Sequence, residues 1–464
     1  MKTANGINPK IFQGYDVRGR YPEEMNEEVA NLAGRSMAEL LRGKLSKKKI
    51  IVGRDVRVSS GALKDAFIRG VLSSGVDVID IGTVTTPMLY FAVNFFKCAG
   101  GAIITASHNP AEYNGVKMVR AGAEPIPPQE ILRAMTKVGR AKTRRLYNGD
   151  IAQTEITQPY IDFLASHAKE SVRHNFRVVA DASNGAGGVI LKSLFEKLGV
   201  SYFPLFFEPD GRFPNHSPNP LEKESQQAAK ELIIHKGADF GVLLDADGDR
   251  VIFVDEAGAA VRSDAVLALL ADNMLKKGNT VIGDVTMGKI VEEIAKAKSA
   301  KFKRVPTGHL NIKKEMRATK AILAGESSGH YYFKDFFGCD SALFTLVAVM
   351  NIFADSRRTF SSMLEQYQEY FHSREYNFHC EDRESAEKII KKFGMKYKNG
   401  KHSKKDGLSV EYPEWWFNLR ASNTEPVLRL NVESKSKTLL EEKAKELTAL
   451  LDRLCNSSSP KTAL

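Results

Sequence analysis

Lys49-Ile-Ile-Val-Gly-Arg-Asp55 is a short β-rich run that ends in an acid, and the segment after it decides the fold. A polar loop, Val56-Arg-Val-Ser-Ser-Gly61, gives way to a helical pattern with Leu63, Phe67, Val71 and Leu72 on one face. Val76-Asp-Val-Ile-Asp80 then closes the unit as a second strand. The same order recurs at Arg177-Val-Val-Ala-Asp181, where the loop is Ala182-Ser-Asn-Gly-Ala-Gly-Gly188. There the helix carries Ile190, Leu191, Leu194, Phe195 and Leu198, and the closing strand is Val200-Ser-Tyr-Phe203. A third copy runs from Thr280-Val-Ile-Gly-Asp284 through Met287-Gly-Lys-Ile-Val-Glu-Glu-Ile294 to Lys301-Phe-Lys-Arg-Val305. Strand, acid, loop, helix and strand is the pattern of a layered α/β domain, so three copies predict three similar mixed α/β domains in series.

The rest of the chain reads differently. Tyr376-Asn-Phe-His-Cys380, a helix near Glu384–Phe393, strands at Trp415–Arg420 and Val427–Val432, and a helix from Lys437 to Leu454 predict a C-terminal α+β domain. Lys396–Gly407 reads as a hairpin loop. The expected divisions are 1–150, 151–256, 257–370 and 371–464.

Size and composition agree with several cores. At 464 residues, with 43% hydrophobic and 27% charged residues, the chain is too long for one core and has the balance of a globular protein. Met1-Lys-Thr-Ala-Asn-Gly6 has no apolar leader, and no apolar run approaches the ~18 residues of a membrane helix, so a cytoplasmic protein without a membrane partner is expected. Cys98, Cys339, Cys380 and Cys455 are scattered, which predicts free thiols and argues against a zinc site. The net charge of +11 comes with no zinc-finger spacing or RNA-recognition signature, so no nucleic-acid partner is expected. Most of that charge is solvated lysine-rich surface, and part is available to steer an anionic substrate.

Four polar loops adjoin the apolar runs, one per predicted domain. Thr105-Ala-Ser-His-Asn-Pro110 follows the buried-looking Gly101-Ala-Ile-Ile, and Asn-Pro forces a turn there. Ser107 therefore sits at the carboxyl end of a strand, where α/β folds place ligands. A serine here is either a nucleophile or a plain loop residue, but no Gly-x-Ser-x-Gly elbow surrounds it, which disfavours an esterase. Lys117 adds a nearby cation.

Asp245-Ala-Asp-Gly-Asp-Arg250 puts carboxylates at i, i+2 and i+4, on one side of an extended loop, a donor set suited to a hard cation such as Mg²⁺. It is not an EF-hand: Arg250 stands where that loop needs glycine, and the flanks read as strands. Arg250 is placed to face a phosphoryl group. Gly325-Glu-Ser-Ser-Gly-His330 can present acceptors to sugar hydroxyls, although a polar turn would look the same. Arg420-Ala-Ser-Asn-Thr-Glu-Pro426 can line an anion nest, with Arg420 and Arg429 supplying charge, or be a simple turn. No P-loop is present, and Gly185-Ala-Gly-Gly-Val-Ile190 departs from the dinucleotide fingerprint at Ile190.

In this order, and with Tyr15-Asp-Val-Arg-Gly19 and Gly53-Arg-Asp55, the loops resemble those of the α-D-phosphohexomutases, specifically the bacterial phosphomannomutase/phosphoglucomutase group, over essentially the whole chain. The resemblance implies four domains arranged around a central cleft. It makes Ser107 the catalytic phosphoserine, and Asp245, Asp247 and Asp249 the Mg²⁺ ligands, with Ser107 as a further one. It makes Glu326 and Ser328 the readers of sugar hydroxyls, and Arg420, Ser422, Asn423 and Thr424 the grip on the non-reacting phosphate. Arg18, His108, Lys117, Arg250 and His330 fall near the transfer site, and Tyr15 and His309 line the cleft.

The implied reaction shifts a phosphoryl group between O1 and O6 of mannose and glucose phosphates through a hexose 1,6-bisphosphate, which also serves as activator. The expected partner is the phosphosugar alone, bound by a monomer or weak dimer. Ser327 and Ala246 differ from the usual phosphoglucosamine mutase motifs and favour hexose phosphates. Phosphoglucosamine mutase remains the nearest alternative, and a metal-dependent sugar-phosphate phosphatase a more distant one. One departure from the group is the loop Asp284-Val-Thr-Met-Gly288, which lacks the lysine often found there; Lys289 is expected to begin the helix instead.

Overall fold

Each apolar run becomes a buried strand, and the acid at its end closes the turn into the helix. The computed structural model describes residues 7–12, 14–42, 49–140, 149–173, 176–422 and 427–456. In the three repeated units the strands are Ile50–Arg54, Arg177–Asp181 and Thr280–Asp284, followed by the helices Ser60–Leu72, Gly187–Leu198 and Lys289–Ala297. Asp55 accepts the Arg57 N–H at 3.0 Å, Asp181 the Ser183 N–H at 2.7 Å, and Asp284 the Thr286 N–H at 2.8 Å. The shared acid is thus a backbone device, a side chain mimicking a turn carbonyl so that the chain can swing from strand to helix.

The first sheet runs in the order Val17–Arg20, Tyr113–Arg120, Gly100–Ile104, Ile50–Arg54, Val78–Thr83 and Ile151–Gln153. Its centre is parallel, and Tyr113–Arg120 turns back antiparallel, which sets Lys117 opposite Ile103. The second sheet orders Val251–Asp255, Phe240–Leu244, Arg177–Asp181 and Ser201–Leu205; the third orders Lys301–Val305, Thr280–Asp284, Leu323–Gly325, Tyr331–Phe333 and Cys339–Asp340. The last domain is an antiparallel sheet of Phe371–His372, Val427–Ser434, Trp415–Ala421, Leu408–Glu411 and Lys401–Ser403. Tyr376–His379 also pairs with Val427–Ser434, and the helices Arg383–Lys396 and Lys437–Asn456 complete the domain.

One continuous apolar core joins the first three sheets, running from Ile51 to Tyr370. Aromatic rings stitch it together: Phe91 lies 5.1 Å from Phe163, and Phe163 lies 6.2 Å from Phe344. The last domain has a separate core built on Phe393, Phe417, Leu428 and Leu447. The four cysteines are free thiols, and no helix among the described residues is long and apolar enough to cross a membrane.

Candidate active site

Ser107 leaves the carboxyl end of Gly100–Ile104 with φ of 53°, a left-handed conformation costing an L-residue roughly 1–3 kcal/mol. It is 1% exposed. Its N–H donates to Thr105 Oγ1 at 2.9 Å, and its Oγ lies 3.3 Å from both His108 Nδ1 and Asp245 Oδ2. Desolvation pushes the His108 ring well below the ordinary histidine range, and the cations Arg250, Arg18 and Lys117 push it the same way. A neutral ring therefore stands beside the serine.

The acid loop folds inward because Asp245 Oδ1 accepts the N–H groups of Asp249 and Arg250, at 3.1 and 3.2 Å. That turn gathers the carboxylates of Asp245, Asp247 and Asp249 within 4.8 Å of one another, all buried. Burial, and then the charges of Asp249 and Asp247, hold the Asp245 carboxyl well above the usual range. Burial opposes charge on Asp249 as well, but Lys117 and His330 overcome it and hold that carboxyl low. Lys117 Nζ donates to Asp247 at 2.7 Å and to Asp249 at 2.6 Å, and Thr86 Oγ1 donates to Asp247 at 2.7 Å. Even so, Asp247 Oδ1 and Asp249 Oδ1 are buried without a hydrogen-bond partner among the described residues. Three buried carboxylates with two unused oxygens fit a small divalent cation with oxygen preference.

Arg250 and His330 meet through an isolated β-bridge, and Arg250 Nε donates to His330 Nε2 at 3.0 Å. On the far side of the ring, His330 Nδ1 lies 2.9 Å from Asp340 Oδ2, while Asp340 Oδ1 lies 2.7 Å from Lys313 Nζ, itself fully buried. The ring thus turns Nε2 to Arg250 and Nδ1 to Asp340.

Further into the third domain, Glu326 accepts the Gly308 N–H at 2.6 Å and the Tyr332 hydroxyl, and Ser328 is half-buried beside it. Gly308 has φ of 105°, and a Cβ there would lie 2.2 Å from the Tyr15 ring, so only glycine lets the two approach. Tyr15 in turn reaches Thr307 Oγ1 at 3.2 Å. Asp16 links His309 (3.1 Å) to Arg18 (2.8 Å), and Arg18 donates onward to Asn109 at 2.9 Å.

The last domain presents Arg420 and Arg429 directly opposite each other on neighbouring strands. Both lean on Glu375, at 3.1 and 3.3 Å. Two guanidinium groups sharing one carboxylate leave a net positive, anion-seeking surface. The Ser422 N–H donates to Val427 O at 2.8 Å, closing the loop's ends; Asn423 and Thr424 lie outside the described residues. Asp406 ties this domain to the third: it accepts the Thr307 N–H and hydroxyl at 3.1 and 3.0 Å, and its carbonyl accepts from Asn418 at 3.1 Å. Lys289 does begin its helix, with its Nζ 2.6 Å from Glu411, so it holds the last domain in place of lining the 284–288 loop.

The sequence reading missed Arg57, Asp16, Asp340 and Lys313. Arg57 carried a signal, an arginine two residues past a strand-ending acid. Lys313 carried none.

Sequence profiles described as phosphoglucomutase/phosphomannomutase alpha/beta/alpha domains I, II and III match residues 9–144, 158–258 and 262–370, and the family's C-terminal domain profile matches 375–450. The chain is 35% identical over 447 residues to a protein named "Phosphohexose mutases" from Xanthomonas campestris pv. campestris (strain B100), covering 95% of this chain and 98% of that one. It is 35% identical over 455 residues to the phosphomannomutase of Salmonella typhimurium, covering 95% and 99%. The crystal structure of a phosphoglucomutase/phosphomannomutase family protein from Burkholderia thailandensis superposes with a TM-score of 0.87 at 30% identity, over 97% of this chain and 98% of that one.

Proposed function

Because the chain belongs to the phosphoglucomutase/phosphomannomutase family and is thus a phosphohexomutase of the isomerase class, we propose that it moves a phosphoryl group between O1 and O6 of mannose and glucose phosphates with Ser107 as carrier. The observation that carries this reading is Ser107 Oγ at 3.3 Å from Asp245, beside an acid triad with unused oxygens. In the first half-reaction the bond from phosphorus to Ser107 Oγ breaks and a bond to the free sugar hydroxyl forms, giving the hexose 1,6-bisphosphate. The hydroxyl proton passes to a nearby base, for which His330 is the candidate, with Arg18 assisting; Lys117, the other candidate of the sequence, is held protonated against burial by Asp247 and Asp249 and supplies charge instead. The second half-reaction returns the other phosphate to Ser107 after the bisphosphate has reoriented.

Phosphoryl transfer asks little covalent chemistry of a protein; alignment and charge neutralisation dominate. A divalent cation held by Asp245, Asp247 and Asp249 would supply neutralising charge at the phosphoryl oxygens. Arg250 adds charge from the protein side. As long as Arg250 donates to His330 Nε2, that lone pair is engaged, so binding of a phosphate by Arg250 releases the histidine to act as acceptor. Glu326 and Ser328 read the sugar hydroxyls. Arg420, Arg429 and the Ser422–Thr424 loop grip the phosphate that is not reacting, in either sugar orientation.

A coupled assay tests the reading. With Mg²⁺ and catalytic hexose 1,6-bisphosphate, mannose 1-phosphate and glucose 1-phosphate should both yield 6-phosphates without release of inorganic phosphate. Preferential turnover of glucosamine 1-phosphate, or stoichiometric phosphate release, would overturn it.

A further inference from the structure

Arg57 takes no part in the chemistry above, yet its side chain has 0% exposure and every donor it owns is used. Nε donates to Asp55 at 3.1 Å; Nη1 donates to the carbonyls of Pro110 and Tyr113 at 2.6 and 2.9 Å; Nη2 donates to those of Ser107 and Asn109 at 2.6 and 2.5 Å. Three main-chain carbonyls of the serine loop and that of Tyr113, at the start of the next strand, thus converge on one guanidinium. Burial alone would strip charge from Arg57, and Asp55 opposes that loss. The Phe213 ring, from the domain that carries the acid loop, covers the guanidinium at 5.0 Å, and a Cβ at nearby Gly211 would lie 2.4 Å from Val56 O. The arginine is therefore clamped from both domains.

A trans peptide points its N–H opposite to its C=O. Drawing the Ser107 carbonyl in toward Arg57 turns the His108 N–H away from it, and that N–H makes no hydrogen bond among the described residues. We propose that Arg57 is the positioning residue of the serine loop: it holds Ser107 in its left-handed conformation and keeps the His108 N–H available as a donor to the phosphoryl group that Ser107 carries. Lysine cannot replace it, having three donors on a single atom and no planar fork.

This assignment rests on Ser107 as the carrier, so Ser107 phosphorylation of the wild type is measured alongside by intact mass and peptide mapping. Arg57→Lys should lower kcat by about 100-fold, the loss typical of an ångström-scale misplacement, while KM for glucose 1-phosphate stays within about threefold. Guanidinium ion should restore at least about tenfold of the activity lost in Arg57→Ala. Activity of Arg57→Lys within about threefold of wild type would overturn the assignment, as would an Arg57→Ala variant whose only defect is a lower Tm, or failure of both variants to fold. An active wild type that never carries phosphate on Ser107 would instead overturn the underlying reading.

Discussion

The first three domains and the last are built on opposite terms. The first three share one apolar core, and their functional loops are welded by buried polar contacts such as Ser107 to Asp245, Thr86 to Asp247 and Arg250 to His330. The last domain keeps its own core. It meets the others through polar and cation–π contacts, including Thr307 to Asp406, Lys289 to Glu411 and Arg304 over Trp416. A shared core resists sliding because its side chains interdigitate, whereas half-exposed ion pairs exchange with water at small cost. The contrast suits the proposed division of labour: the unit with the shared core holds Ser107 beside the acids, and a separable unit carries the arginine pair proposed to grip the far phosphate. Such a division suits a site that must admit, enclose and release a sugar.

Substitutions on either side of this contrast should fail in different ways. The largest loss is expected of Ser107→Ala, at least about 1000-fold in turnover with an unchanged Tm, read by the coupled assay; full activity would remove the covalent scheme. Asp247→Asn should lower kcat by about 100-fold and flatten the dependence on Mg²⁺, and an unchanged metal titration would mean that the triad is not the cation site. Arg420→Ala should instead raise KM by about tenfold with little change in kcat, the signature of lost ground-state grip; an effect confined to Tm would return that loop to the status of a turn.

The smallest effect concerns the junction itself. His372 Nε2 lies 3.1 Å from Asp264 and 3.4 Å from Glu433, beside a cavity of about 280 Å³ that Trp416 also lines. Burial disfavours charge on Asp264, but His372 and then Arg262 overcome it and hold the carboxyl below the usual range. A depressed carboxyl contributes stability that is present above its unfolded value near 3.8 and is lost as pH falls through the lower folded value. Asp264→Asn should therefore lower Tm by about 2 °C at neutral pH, with the gap closing progressively below about pH 4 in thermal scans. A gap as wide at pH 2 as at pH 7 would show that the charge of Asp264 does not hold the junction.

The repeated units were legible because their apolar runs are contiguous and their acids regular: Asp55, Asp181 and Asp284 all end strands and all close the next turn. The strand Tyr113–Arg120 was not read as one, since Asn114 and Lys117 interrupt its apolar pattern; both are buried, each satisfied by partners distant in the chain. Lys313 was invisible for a related reason. It looks like any lysine of a surface helix, and only Tyr90, 223 positions away, together with Asp340, makes it a buried charge. The acid triplet and the serine loop could be found locally because each concentrates its chemistry in a few adjacent residues. The tilt of the serine loop could not, because Arg57 sets it from another loop, about 50 positions away in the chain.

The claim that a serine in the unit with the shared core carries the phosphoryl group beside the acid triad is tested most directly by labelling. Enzyme incubated with hexose 1,6-bisphosphate carrying radioactive phosphate should take up label on the Ser107 peptide, and unlabelled glucose 1-phosphate should chase that label into sugar only when Mg²⁺ is present. Label on another residue, or a chase that proceeds equally without the metal, would contradict it.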